Sequence, residues 1–330
     1  MDENKVKLMD AYGRTMEYLR ISLTDKCNLR CQYCMPKEGI MPLSHGDVLT
    51  LEEIRRVAAV LTELGIRKIR VTGGEPLVRR NAMELIRRLT EFPTQPEIVM
   101  TTNGVLLAGH LNELKEAGVQ RINISLDTLN RETYQRLTGV DALEKVLHSI
   151  DAALSMGFSV KLNVVPIRGI NEDDIEALAG MARERELTVR FIELMPMGCA
   201  KGLSGIPGDE LMERLEKTFG VAEPAEDTSQ SGPAQYVHFP EFQGPVGFIN
   251  PLSHQFCKEC NRLRLTVDGK LKLCLFYPDG LDVKKLLRGG CTDEELKEEI
   301  KRSVMQKPER HEFVPGKAAA EEKNMVQIGG

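Results

Sequence analysis

The chain has 330 residues, 42% of them hydrophobic, with 44 Lys and Arg against 49 Asp and Glu for a net charge of −5. That is room for one large or two ordinary domains with a substantial core. It excludes wholesale disorder and a general electrostatic trap for nucleic acid or membranes, so an anionic ligand needs a local basic pocket. The charged first residues, MDENKVKLMDAYGR, do not read as a signal peptide, and no apolar run nears the roughly 18 residues of a membrane helix. The expected compartment is therefore the reducing cytoplasm, where eight cysteines suggest metal or redox chemistry rather than disulfides.

In chain order, apolar β-branched runs predict strands at 18–24, 68–72, 97–102, 121–127, 159–165 and 188–194. Helical patterns fall between them at 51–64, 82–91, 141–156 and 171–185, the first opened by Thr50 with Glu53 three residues on. Strands separated by helices pair in parallel through right-handed crossovers. Six such units predict an α/β fold with an incomplete (βα)6-type parallel barrel; a doubly wound open sheet is the competing architecture.

Each strand alternates in character. Arg20 and Ser22 alternate with Leu19, Ile21 and Leu23; Arg70 and Thr72 with Ile69 and Val71; Asn123 and Ser125 with Ile122 and Ile124; Lys161 and Asn163 with Val160 and Leu162; Arg190 lies between Val189 and Phe191. Successive strand residues face opposite sides, so each strand has one polar and one apolar face. An antiparallel sheet with one face in water also gives this pattern, but the intervening helices cover a parallel sheet. The apolar faces then meet the helices, and the cations, hydroxyls and amides line an interior cavity suited to a polyanion such as a nucleotide.

After Met197 the rhythm breaks. A glycine-rich stretch at 198–208 precedes a helix at 209–219, a polar loop at 221–233, and β pieces at 235–239, 246–250 and 262–275, the last folded by the Asp268-Gly269 turn. Helices are expected at 283–287 and 293–305. The last 25 residues are charged, read as mobile, and end in Gly329-Gly330. The predicted division is 1–205 for the barrel and 206–330 for an α+β extension covering its open side.

Two cysteine triplets carry the chemistry. Cys27, Cys31 and Cys34 (C-x3-C-x2-C) follow the first strand, where a barrel places its active face. Cys257, Cys260 and Cys274 (C-x2-C-x13-C) are brought together by the Asp268-Gly269 hairpin. Three thiolates fill three corners of a four-iron cluster and leave one iron open. For the second triplet, a zinc site completed by His254, Cys199 or Cys291 is the alternative. Cys199 and Cys291 match no motif position and read as small buried residues, and none of the six histidines has the neighbours of a catalytic triad.

C-x3-C-x2-C with Tyr33 before its third cysteine resembles the radical S-adenosylmethionine superfamily. So do Gly73-Gly74-Glu75-Pro76, Thr101-Thr102-Asn103-Gly104 and Ser125-Leu126-Asp127 at later strand ends. The second triplet, its Asn261-Arg262-Leu263-Arg264-Leu265 segment and the Gly-Gly end resemble the GTP 3′,8-cyclase family of molybdenum cofactor biosynthesis over nearly the whole chain. The resemblance implies a cytoplasmic lyase with two [4Fe-4S] clusters and S-adenosylmethionine. The cluster on Cys27, Cys31 and Cys34 would split that cosubstrate, and the resulting radical would join C3′ of GTP to purine C8. Tyr33, Gly74, Glu75, Ser125 and Met195 match cosubstrate positions; Arg20, Arg70, Thr101 and Lys161 match nucleotide positions. Arg262 and Arg264 match the basic pair beside the second cluster, while Arg190 joins the substrate set from its inward place on a strand. Gly329 and Gly330 are expected to reach the active site through their backbone. Pro196-Met197-Gly198 departs from the Asp-Val-Gly of some relatives, which bears on the backbone near Met195. The implied partners are GTP, a reductant such as flavodoxin or ferredoxin, and a downstream cyclic pyranopterin monophosphate synthase. A homodimer is compatible; nucleic acid and membrane are not expected. A different two-cluster radical enzyme that matures a peptide or another enzyme is the alternative, and a zinc-stabilised nucleic-acid binder is opposed by the acidic net charge.

Overall fold

The computed structural model describes residues 7–225, 232–313 and 320–329. The six N-terminal residues, part of the polar loop expected at 221–233, part of the charged C-terminal stretch and Gly330 lie outside the described residues. The first half alternates as expected: β1 (Tyr18–Ser22), α1 (Leu51–Glu63), β2 (Lys68–Thr72), α2 (Ala82–Thr90), β3 (Glu97–Thr102), α3 (Leu111–Glu116), β4 (Arg121–Ser125), α4 (Arg131–Thr138), α5 (Leu143–Ser155), β5 (Ser159–Val164), α6 (Ile175–Glu184) and β6 (Thr188–Ile192). The rest comprises α7 (Gly208–Phe219), β7 (Glu223–Ala225), β8 (Gln235–His238), β9 (Val246–Ile249), β10 (Arg262–Leu265), β11 (Lys270–Lys272), β12 (Gly280–Asp282), α8 (Val283–Arg288), α9 (Asp293–Val304) and α10 (Met325–Ile328).

The twelve strands of the described residues form one sheet, in the order β12-β11-β10-β1-β2-β3-β4-β5-β6-β9-β8-β7. The six predicted strands are its parallel centre. The C-terminal third covers both edges of that centre: β10 adds in parallel beside β1, and β9 in parallel beside β6. An unpaired edge is a row of unsatisfied backbone donors and acceptors, and these additions satisfy it. No helix among the described residues is long and apolar enough to cross a membrane.

The alternation sorts as the sequence predicts. Leu19, Ile21, Ile69, Val71, Ile122, Ile124, Val160, Leu162, Val189 and Phe191 lie fully buried in the main core, which also takes the inner stripe of α1 (Ile54, Val57, Leu61). The helix at 51–64 begins with the expected capping box between Thr50 and Glu53. The sequence reading gave neither α3 nor α4, although both signals of α4 are present. Asn130 accepts a hydrogen bond from the Thr133 N–H, and Gly139 ends the helix in the left-handed region at φ 74°.

The loops at the C-terminal ends of the strands are pinned by buried side chains. Asn171 donates from Nδ2 to the carbonyls of Asp127 (2.7 Å) and Val165 (3.0 Å) and accepts from the Ile167 N–H (2.7 Å). It is 2% exposed and so fixes the ends of β4 and β5 relative to one another. Asn171→Ala is expected to leave these groups unpaired and to lower unfolding free energy by about 3 kcal/mol. Urea denaturation checks this; a midpoint equal to the parent's would show that the asparagine is dispensable.

Candidate functional site

The register of the sheet makes the site. Arg20 stands opposite Arg264 on one side and Arg70 on the other, so three guanidiniums lie abreast on β10, β1 and β2. Like charges directly opposed on neighbouring strands repel, more so when buried. Burial first, and then Arg264, drive the Arg20 pKa well below its ordinary value. Burial and Arg262 bring Arg264 down to about 10. Arg190, lowered by burial and Arg70, donates to Asn123 Oδ1 (2.8 Å) and Asn163 Oδ1 (2.6 Å), while Lys161 donates to the Tyr236 hydroxyl (3.0 Å). Arg70 Nε, Arg190 Nε and Arg264 Nη1 are buried without a hydrogen-bond partner. Orphaned cationic donors around one space are what a polyanion satisfies.

The loop after β1 carries the first triplet and is fastened from two sides. The Gly74 N–H donates to the Thr24 carbonyl (2.6 Å) and the Glu75 N–H to that of Lys26 (2.9 Å). From the other side, Arg30 and Gln32 N–H groups donate to the carbonyls of Thr138 and Leu137 at the end of α4. Only glycine fits at Gly74: a Cβ there would lie 2.3 Å from the Lys26 carbonyl oxygen. Burial pushes the Cys34 thiol up to about 12, with Cys27 adding to it, and raises Cys31, to which Cys34 and Asp127 add.

The second triplet is electrostatically opposite. Cys257 and Cys260 flank a single 3-10 turn that leads into β10, and Cys274 follows β11. Burial raises the Cys260 thiol, but Lys307 and Arg262 outweigh it and bring the pKa down to about 7. All six cysteines open on one cavity. Each triplet offers three thiolates to that cavity, the donor set a four-iron cube takes at three of its corners.

The same cavity is lined by Arg20, Arg70, Thr101, Lys161, Arg190, Arg262 and Arg264, the whole predicted substrate set, and by Tyr33, Gly74, Ser125 and Met195. Tyr33 is held by its hydroxyl, which donates to Asp127 Oδ2 (2.7 Å); burial raises Asp127 to about 6. Glu75 is placed differently from expectation. It is 0% exposed, accepts from the Leu77 N–H and Thr102 hydroxyl through Oε1 and from the Asn103 N–H through Oε2, and is raised by burial to about 7. Its carboxylate positions the 101–104 turn behind the wall instead of facing the cavity. The stretch expected to be mobile is docked over 320–329, with Gly329 packed on Ser22 and Thr72 at the ends of β1 and β2. Cys199 and Cys291, expected to be buried, are partly exposed.

Sequence reasoning missed Tyr18, Lys68, Arg121, Tyr236 and His311, which also line the cavity. Lys68 and Arg121 share strand parity with Arg70 and Asn123, a signal that was available. Glu97 bridges them, 3.1 Å from Lys68 and 2.7 Å from Arg121. Tyr236 and His311 carried none. His311 Nδ1 accepts from the Phe313 N–H (3.2 Å), so its proton sits on the buried Nε2.

Residues 21–182 match the Radical SAM superfamily, and residues 187–313 match Molybdenum Cofactor Synthesis C. The chain is 42% identical over 323 residues to the GTP 3′,8-cyclase of Clostridium perfringens (strain 13 / Type A), covering 98% of this chain and all of that one. It is 45% identical over 329 residues to the GTP 3′,8-cyclase of Peptoclostridium acidaminophilum, covering 99% and 100%. The chain belongs to the GTP 3′,8-cyclase family. Among solved structures, Streptococcus suis SuiB bound to S-adenosylmethionine aligns with TM-score 0.57 at 14% identity over 80% of this chain and 62% of that one, a likeness of fold. As in the sequence expectation, this family member has the α/β fold of a partial parallel barrel, and its C-terminal third adds strands to both edges of that parallel centre.

Gly74→Ala is expected to displace residues 24–27 and to reduce the iron retained after anaerobic reconstitution to the share held by the second triplet. Iron and sulfide analysis with circular dichroism checks it; full iron content in a folded variant would show that the tight Gly74 contact is not needed.

Proposed function

We infer that the protein converts GTP to (8S)-3′,8-cyclo-7,8-dihydroguanosine 5′-triphosphate, the first step of molybdenum cofactor biosynthesis. S-adenosylmethionine is the cosubstrate, and each cysteine triplet holds a [4Fe-4S] cluster. The observation that carries this reading is that both triplets and the buried arginines open on a single cavity. A zinc protein has no use for that arrangement, and a peptide maturase has no use for so many desolvated cations. The near full-length match to relatives named GTP 3′,8-cyclase supports the same reading.

When bound, the first cluster supplies the electron that splits S-adenosylmethionine and so provides the radical for ring closure. The chain's own residues bind, orient and exclude water. Arg20, Arg70, Lys161 and Arg190 hold the triphosphate through charge-assisted hydrogen bonds. Arg262 and Arg264 alternate on β10 with Leu263 between them, so both reach the cavity beside the second triplet, where they would orient the purine towards the cluster that Cys257, Cys260 and Cys274 would hold. Tyr33, Gly74, Ser125 and Met195 hold the cosubstrate at the first, with Thr101 between the two ligands. Gly329 bounds the cavity through its backbone.

Cyclisation without hydrolysis makes the enzyme a lyase. The first cluster needs a low-potential one-electron donor such as flavodoxin or ferredoxin, and the triphosphate product needs a separate synthase to reach cyclic pyranopterin monophosphate. Oxygen-sensitive clusters and cysteines without disulfides suit a cytoplasmic setting, either as a monomer or as a homodimer.

Anaerobic incubation with dithionite, S-adenosylmethionine and GTP is expected to form 5′-deoxyadenosine only when GTP is present. Formation that depends on a peptide instead would overturn the cyclase reading in favour of a maturase. Arg190→Met removes a buried charge-assisted contact and is expected to weaken GTP binding roughly 10- to 100-fold, read by anaerobic calorimetry. Unchanged affinity would remove Arg190 from the substrate set.

A further inference from the structure

Lys307 follows α9 and is 3% exposed. Its Nζ donates to the Arg262 carbonyl (3.0 Å) and to the Leu273 carbonyl. The first carbonyl belongs to the strand that continues from Cys257 and Cys260; the second is adjacent to Cys274. One ammonium therefore joins the two chain segments that bring the second triplet together. Its own segment is clamped. Buried Arg14 donates to the carbonyls of Cys257 (2.8 Å), Glu309 (2.7 Å) and Pro308 (2.7 Å).

The charge balance is uneven. Arg14 is neutralised by Asp10, 2.6 Å away and equally buried. Lys307 forms no ion pair with a carboxylate among the described residues. The groups facing it are the sulfurs of Cys260 and Cys274 and the cations Arg14 and Arg262. A buried ammonium beside two guanidiniums is costly unless an anion accompanies it. A four-iron cube on three thiolates carries net negative charge, and one unit more when reduced.

We propose that Lys307 is the buried counter-charge of the second cluster and the clasp that sets its cysteine segments, a positioning residue for that site. This rests on the two-cluster reading above. The consequence has a sign that a purely structural lysine lacks. With the cluster present, the ammonium stabilises the site and favours its reduced form; without the cluster, the ammonium is an uncompensated buried charge.

The test uses the full chain in two backgrounds. With Cys27, Cys31 and Cys34 all changed to Ala, only the second site takes iron. There, Lys307→Met is expected to release iron to a chelator roughly ten-fold faster and to shift the midpoint potential, followed by electron paramagnetic resonance, to more negative values. Lys307→Arg, which keeps the charge, is expected to restore the potential towards the parent's. With Cys257, Cys260 and Cys274 all changed to Ala, Lys307→Met is expected to leave the melting temperature unchanged or raise it. Equal potential and iron-loss rate in the first background, or an equal fall in melting temperature with and without the cluster, would overturn the proposal. A first-triplet-free chain that takes up no iron even with Lys307 intact would fail the two-cluster reading itself and carry the proposal with it.

Discussion

Buried like charge sets the terms for this structure. The parallel register places Arg264, Arg20 and Arg70 on three adjacent strands at one level, walled from water on the helix side by a continuous apolar core. Such a row is unfavourable in the empty protein, because each guanidinium loses hydration and gains repulsion. The fold tolerates it because the apolar residues between them, Leu19, Ile21, Ile69 and Leu263, are 0% exposed and hold the strands regardless. Stability thus comes from one face of the sheet and ligand demand from the other. An anion that entered would relieve repulsion at several side chains together, which a ligand of single charge cannot do.

The same division separates the two triplets. Around the first, two buried carboxylates, Asp127 by Cys31 and Glu75 by Cys27, stand against one cation, Arg30, and burial holds both acids above their usual range. Around the second they are Arg14, Arg262 and Lys307. Cubes placed in these two settings would differ in how readily they hold an added electron, the second being the easier to keep reduced.

The core of this was legible in the sequence because strand alternation is a local signal. Leu19-Arg20-Ile21-Ser22 states which residue meets a helix and which meets the cavity, whatever its neighbours are. Pairing is not local. Nothing in Val246–Ile249 or Arg262–Leu265 says that one lies parallel to β6 and the other parallel to β1, since the partners are some 50 to 240 residues away. The orientation of Glu75 was hidden for a related reason. The motif gave its chain position, but three donors from Leu77, Thr102 and Asn103 turn its carboxylate away from the cavity. Tyr236 and His311 enter from segments whose short or irregular pattern predicts no face at all.

The C-terminal stretch is the clearest case of tertiary contact overriding local appearance. A helix of four residues, Met325–Ile328, cannot hold itself in water. It is held by what surrounds it. Glu321 forms a buried ion pair with Lys272, Lys323 reaches Asp268 (2.8 Å), and the Asn324 side chain accepts from the Cys199 N–H (3.1 Å). Val326 and Ile328 are each 1% exposed. Anchors on the β10–β11 hairpin, which carries the second triplet, thus hold Val326 against Gly74, whose N–H fastens the loop of the first. Gly329 then turns at φ 83°, where a Cβ would sit 3.0 Å from that of Ser22. Backbone angle and space both call for glycine there, so this turn is set by the ends of β1 and β2 that it packs on rather than by any propensity of its own.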